Sequence, residues 1–131
     1  MTREQIRLIP ELNKKILHDE AHLVYLKEKA TAVPALATNE RVKSSKTNDS
    51  MKYADAAIDL EAELMQKRAE LKALKDEATI WIETLESPLE RRIFVMRLIK
   101  CFTWDEIADL IGYSRRRIFQ LKEAVIKTKT L

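Results

Sequence analysis

The sequence predicts an all-α protein, with an N-terminal long-helix hairpin or coiled coil (1–86) followed by a C-terminal module of short helices (87–131). Three observations predict it. Glycine occurs once and proline three times in 131 residues, too few chain-breaking residues for the many tight turns of a β-rich fold. Hydrophobic residues make up 46% of the chain and charged residues 34%, with Ala, Leu, Glu, Lys and Arg prominent, all of which enter a helix at little cost. Apolar residues also recur at alternating spacings of three and four over long stretches, which lines them up along one helix face.

The first helix is expected over about 10–30. Thr2-Arg3-Glu4-Gln5 can form a capping box, with the Thr2 hydroxyl accepting from the Gln5 amide, but Pro10 then predicts a kink or restart. Beyond it, Ile9, Leu12, Ile16, Asp19, Leu23, Leu26 and Ala30 form one stripe. Between Thr31 and Ser50 the periodicity disappears, polar residues crowd in and Pro34 interrupts; about 31–50 therefore reads as a mobile linker. Asp49 or Ser50 can cap a second helix reaching about Glu86, with a seam at Leu60, Leu64, Lys67, Leu71, Leu74, Ala78, Trp81 and Leu85. Each seam has one polar interruption, Asp19 and Lys67. An antiparallel hairpin brings them into the same or neighbouring layers, where they either pair and pin the register or each reach separately to water.

Three more starts follow. Ser87-Pro88-Leu89-Glu90 predicts an N-cap, a proline at the first helical position and a capping box. Thr103-Trp104-Asp105-Glu106 repeats the box, and Gly112 supplies a left-handed turn residue. Ser114 caps the last helix, whose Ile118, Leu121 and Val125 face inward. Forty-odd residues make a marginal core by themselves, so this module is expected to dock on the end of the second helix around Trp81 and Leu85.

Two short helices around a glycine turn, the second opening with Ser and three arginines, match a helix-turn-helix with its recognition helix last. Charge agrees. Residues 88–131 carry ten Lys/Arg against five Asp/Glu, net +5, whereas 1–87 carry fourteen against sixteen, net −2. Arg115, Arg116 and Arg117 occupy a helix first turn, where each cation costs about 0.3–1 kcal/mol against the macrodipole. Double-stranded DNA would offset that cost. Arg115 and Arg116 can bond guanine O6 and N7 together, Gln120 can serve adenine, and Phe119 can touch a thymine methyl. Thr103, Ser114, Arg117 and Lys122 would hold the DNA backbone. The alternatives are arginines that touch only phosphate, or a merely solvated face.

Leu85 to Ile126 resembles region 4 of bacterial sigma factors. The resemblance rests on Pro88-Leu89-Glu90-Arg91-Arg92, Trp104-Asp105-Glu106-Ile107-Ala108, and Gly112-Tyr113-Ser114-Arg115-Arg116-Arg117-Ile118 with Gln120-Leu121. The full layout is similar to phage-encoded late-gene regulators of the ArpU and RinA type. That resemblance implies promoter binding and activation, with host RNA polymerase as a partner and the host bacterial cytoplasm as location. One departure stands out: the family usually has glycine shortly before the Thr-Trp-x-Glu cap, where this chain has Lys100-Cys101-Phe102.

Other classes are less well supported. No stretch of about 20 apolar residues or signal peptide is evident, so a cytoplasmic protein without a membrane partner is expected. His18 and His22 lack a third ligand, no glycine-rich phosphate loop exists, and Asp105, Glu106 and Asp109 suit the positive end of their own helix. Neither metal, cofactor nor enzymatic activity is therefore expected. Within DNA binding the rival is a DNA-packaging recognition subunit. Outside it, the rival is a helical protein-interaction factor that binds RNA polymerase or another regulator and attracts DNA only nonspecifically. In the leading reading the coiled coil is expected to mediate homo-oligomerisation or contact with another protein.

Overall fold

The computed structural model describes residues 1–31 and 40–131, with side chains described outside 32–48. Its helices are α1 (Arg3–Thr31), α2 (Glu40–Glu83), α3 (Pro88–Phe94), α4 (Trp104–Ile111) and α5 (Arg115–Lys129), with a π-helical turn, Val95–Ile99, continuing α3. No strand occurs among the described residues. No helix among them is long and apolar enough to cross a membrane.

Two boundaries differ from expectation. α1 begins at Arg3 and runs through Pro10 instead of restarting there. A proline inside a helix costs about 3 kcal/mol, but Ile6, Ile9, Leu12 and Ile16, on either side of it, are each no more than 5% exposed. Burying them contributes about 1.5–3 kcal/mol apiece, so packing outweighs the break. α2 begins at Glu40, well before Asp49 or Ser50, so 40–50 belong to a helix and not to the expected linker. The rest of that expected linker, 32–39, lies outside the described residues. Residues 40–50 contain neither glycine nor proline, and polar residues lower helix stability by only a few tenths of a kcal/mol each. Lost periodicity does not by itself end a helix.

The chain groups into two compact units, Met1–Lys14 with Ala69–Leu131, and Lys15–Arg68. The sequence places its one boundary between 86 and 87; the contacts place theirs inside α1 and α2.

In the Lys15–Arg68 unit, Ile16, Leu23, Leu26, Ala57 and Leu64 are buried. Lys27 pairs with Glu61 at 3.1 Å and Glu20 with Arg68 at 3.0 Å, so the α1 and α2 segments run antiparallel here. Asp19 and Lys67 are hydrogen-bonded to each other, which selects pairing over separate escape to water. The Lys67 ammonium holds the Asp19 carboxyl below its ordinary range, and Asp19 in turn raises Lys67.

In the other unit every helix contributes buried apolar residues, among them Ile9, Leu85, Ile93, Phe94, Leu98, Ile107 and Ile118. Phe94 is central: its ring meets Trp81 edge-on at 5.1 Å and Trp104 at 6.1 Å. The Trp81 indole N–H donates to the Lys129 carbonyl at 2.9 Å, tying the end of α5 to α2, in keeping with docking around Trp81 and Leu85. The start of α1 joins the same unit. Its Thr2–Gln5 box closes in both directions, at 3.0 and 3.2 Å, and Gln5 Nε2 donates to Glu77 at 3.0 Å. At α3, the Glu90 N–H donates to Ser87 Oγ at 3.4 Å; this is the only half of the expected box formed among the described residues.

Candidate nucleic-acid interface

The approach to α4 is built on the π-helical turn. The Lys100 N–H donates five residues back to Val95, and the Phe102 N–H reaches the Met96 carbonyl at 2.9 Å. Closing that wide turn requires a left-handed residue, and Cys101 supplies it with φ 56°. A side chain in this conformation costs about 1–2 kcal/mol. Cys101 thus takes the left-handed conformation that glycine adopts most readily. Arg97 braces the turn: Nη1 donates to the Phe102 carbonyl at 2.9 Å, and its guanidinium lies 4.9 Å from the Trp104 ring centre. Burial lowers the Arg97 pKa from its ordinary value. Burial also pushes the Cys101 thiol up, against the opposing charges of Lys75 and Arg97.

Thr103 then caps α4 with a complete box, its Oγ1 accepting from the Glu106 N–H at 3.1 Å while Glu106 accepts from the Thr103 N–H at 3.3 Å. Gly112, at φ 82° and ψ 22°, ends the helix. Its N–H and that of Tyr113 both donate to Ala108, at 2.9 and 3.1 Å. Ser114 Oγ accepts from the Arg117 N–H at 3.1 Å and opens α5. Both cap hydroxyls accept within the chain, which leaves their own hydrogens for an outside acceptor such as phosphate.

Ile118, Val125 and Ile126 bury the inner face of α5. Leu121, expected with them, is half-buried. On the opposite side Arg116 and Gln120, four apart and hence neighbours on one face, are exposed, as is Arg117 on the adjoining flank. The other flank faces the start of α4. There Arg115 Nε lies 3.0 Å from Asp105 Oδ1, an exposed ion pair that offsets one of the three unfavourable first-turn cations. Phe119 is 57% exposed. Lys122 is folded down, its ammonium 5.1 Å from the Trp104 ring centre and 4.8 Å from that of Phe119. Trp104, Asp105, Arg115, Arg116, Phe119 and Lys122 line an open cleft of about 360 Å³.

Comparison with protein-family models, curated proteins and solved structures finds no match for this chain.

Seven of the eight residues singled out from sequence therefore present a polar group or ring on exposed surface: Thr103, Ser114, Arg115, Arg116, Arg117, Phe119 and Gln120. Lys122 is the exception, held against two rings. Sequence reasoning missed Asp105 as the partner of Arg115, since a helix N-terminus already explains an aspartate. The Trp104 ring is half-buried, and two cations cover it.

Proposed function

We propose that α4, the Gly112–Ser114 turn and α5 act as a helix-turn-helix of the sigma-region-4 kind that reads double-stranded DNA. On this reading the chain regulates transcription, binding a promoter and recruiting RNA polymerase as a phage late-gene activator does. The observation that carries the reading is the exposed Arg116–Gln120 face of α5, on a helix capped by Ser114 and backed by buried Ile118 and Val125. Such a helix enters the major groove as a rigid body. Arg116 bonds a guanine edge and Gln120 an adenine one turn along, each bidentate contact worth about 1–3 kcal/mol of discrimination. Thr103, Ser114 and Arg117 donate to phosphates. Arg115 joins them by leaving Asp105, an exchange that costs little because exposed ion pairs contribute about 0–1 kcal/mol. Phe119 meets a thymine methyl.

Selection from a duplex library at about 150 mM salt, a level at which nonspecific attraction is already much weakened, tests this. Wild type should enrich a motif, and Arg116→Ala with Gln120→Ala should lose it while keeping residual affinity. Binding without any motif would instead favour the protein-interaction reading.

A second observation bears on the long helices. In the Lys15–Arg68 unit, Met51, Ile58 and Met65 stand seven apart and are 62–68% exposed, and Leu17 and Val24, also seven apart, are 58% and 56% exposed. Heptad spacing outside the buried seam supports self-association into a larger bundle. Ile58→Glu should lower the mass seen in sedimentation; an unchanged mass contradicts the assembly.

A further inference from the structure

The cleft beside Phe119 is one of two that meet at Trp104 and Lys122. The second, of about 180 Å³, is lined by Arg3, Ile6, Arg7, Arg97, Trp104, Lys122, Glu123 and Ile126. It joins cations from opposite ends of the sequence. Arg3 and Arg7 belong to the first turns of α1, and their side chains are 57% and 66% exposed. Arg97 comes from the π-helical turn and Lys122 from α5. Four cations face one carboxylate, Glu123, which lies 3.5 Å from both Arg3 and Lys122. Glu4, outside the lining, pairs with Arg7 at 2.7 Å. These pairs hold the exposed guanidiniums loosely, because solvent screens them.

The geometry follows α5. From Arg116 to Ile126 the helix rises about 15 Å, at about 1.5 Å per residue, and the two clefts lie along that one flank. A helix lying in a major groove puts its flanks against the groove walls, which are phosphate. Each strand places one phosphate per about 3.4 Å of axis, so a wall beside this length of helix passes several. Positive charge continues along the flank from Arg115 and Arg116 through Lys122 to Arg3 and Arg7.

We infer that Arg3 and Arg7, at the start of α1, bind the phosphate backbone of the DNA whose bases α5 reads. The inference rests on the DNA-binding reading above and adds a backbone clamp from the opposite end of the chain. Contacts to phosphate carry no sequence information, so on this inference they strengthen binding without selecting sequence. Glu123, among them, opposes the phosphates and weakens the grip.

The test uses the full chain with Arg3→Gln and Arg7→Gln together, and Glu123→Gln separately, after circular dichroism and thermal melting show wild-type folding. Affinity for a selected site and for an unrelated duplex is measured across a salt series. Each lost phosphate contact lowers the slope of log affinity against log salt by about 0.9, so the double variant should lose about 1.8. It should bind both duplexes on the order of tenfold more weakly, with the enriched motif unchanged. Glu123→Gln should tighten both at low salt. Wild-type affinity and slope in the arginine variant, or a changed motif, overturns the clamp while leaving α5 as the reader. Failure of wild type to bind any duplex overturns both.

Discussion

The Lys15–Arg68 unit and the unit formed by Met1–Lys14 with Ala69–Leu131 hold themselves together by different means. The former uses an aliphatic stripe bordered by ion pairs that cross from α1 to α2, Lys27–Glu61, Glu20–Arg68 and Asp19–Lys67. The latter uses an aromatic chain, Trp81–Phe94–Trp104, and starts of α3, α4 and α5 at each of which a cap hydroxyl accepts from a first-turn amide. Stripes spread stability over many equivalent positions, whereas an aromatic hub and caps concentrate it in a few. The first arrangement tolerates substitution and sets register. The second fixes the angle at which α5 is presented.

The largest effect should come from the hub. Phe94→Ala removes a ring that is 1% exposed and should cost about 3–5 kcal/mol in denaturant unfolding; a loss no bigger than that of any single ion pair would erase the contrast. Next comes Gly112→Ala. A Cβ there meets nothing within 4 Å, so the expected loss of about 1–2 kcal/mol is wholly the left-handed backbone. Thr103→Ala should cost about 1 kcal/mol in denaturant unfolding; no loss would mean that the capping box does not hold the start of α4.

The ion pair should yield least, and in a way that tests register. Asp19→Lys or Lys67→Asp alone should lower stability, and the two together should recover most of it, measured as a coupling energy; absence of recovery would mean the pair does not set register. Its pH dependence follows from the shifts. Asp19 titrates below its ordinary value, so its contribution is complete above about pH 4 and is lost as pH falls through its lowered pKa. Lys67 titrates above its ordinary value, so its contribution is complete below about pH 10 and is lost only as pH rises beyond that.

The two units were not equally legible in sequence. Heptad stripes report a face that must be buried, so the Asp19–Lys67 interruption could be located before its geometry was seen. Caps are short-range chemistry, and Thr103, Ser114 and Gly112 announced α4, α5 and the turn. What escaped was everything set by tertiary approach. Pro10 reads as a break because its local cost is visible, while the burial of Ile6 to Ile16 that overrides it is not. Arg97 reads as one basic residue among several, and only the fold puts it over Trp104. Arg3 and Arg7 lie about ninety positions from Arg97 in sequence, and no spacing rule joins them.

The left-handed turn at Cys101 has a practical corollary. It is the only cysteine in the chain, half-buried, with a thiol that burial makes reluctant to ionise. A thiol reacts as its thiolate, so alkylation at this position should be slower than at a fully exposed cysteine. The rate at which a small maleimide labels the protein therefore reports on the surroundings of the turn ahead of α4, and slower labelling when duplex DNA is added would show, from a single atom, that binding covers or steadies that turn.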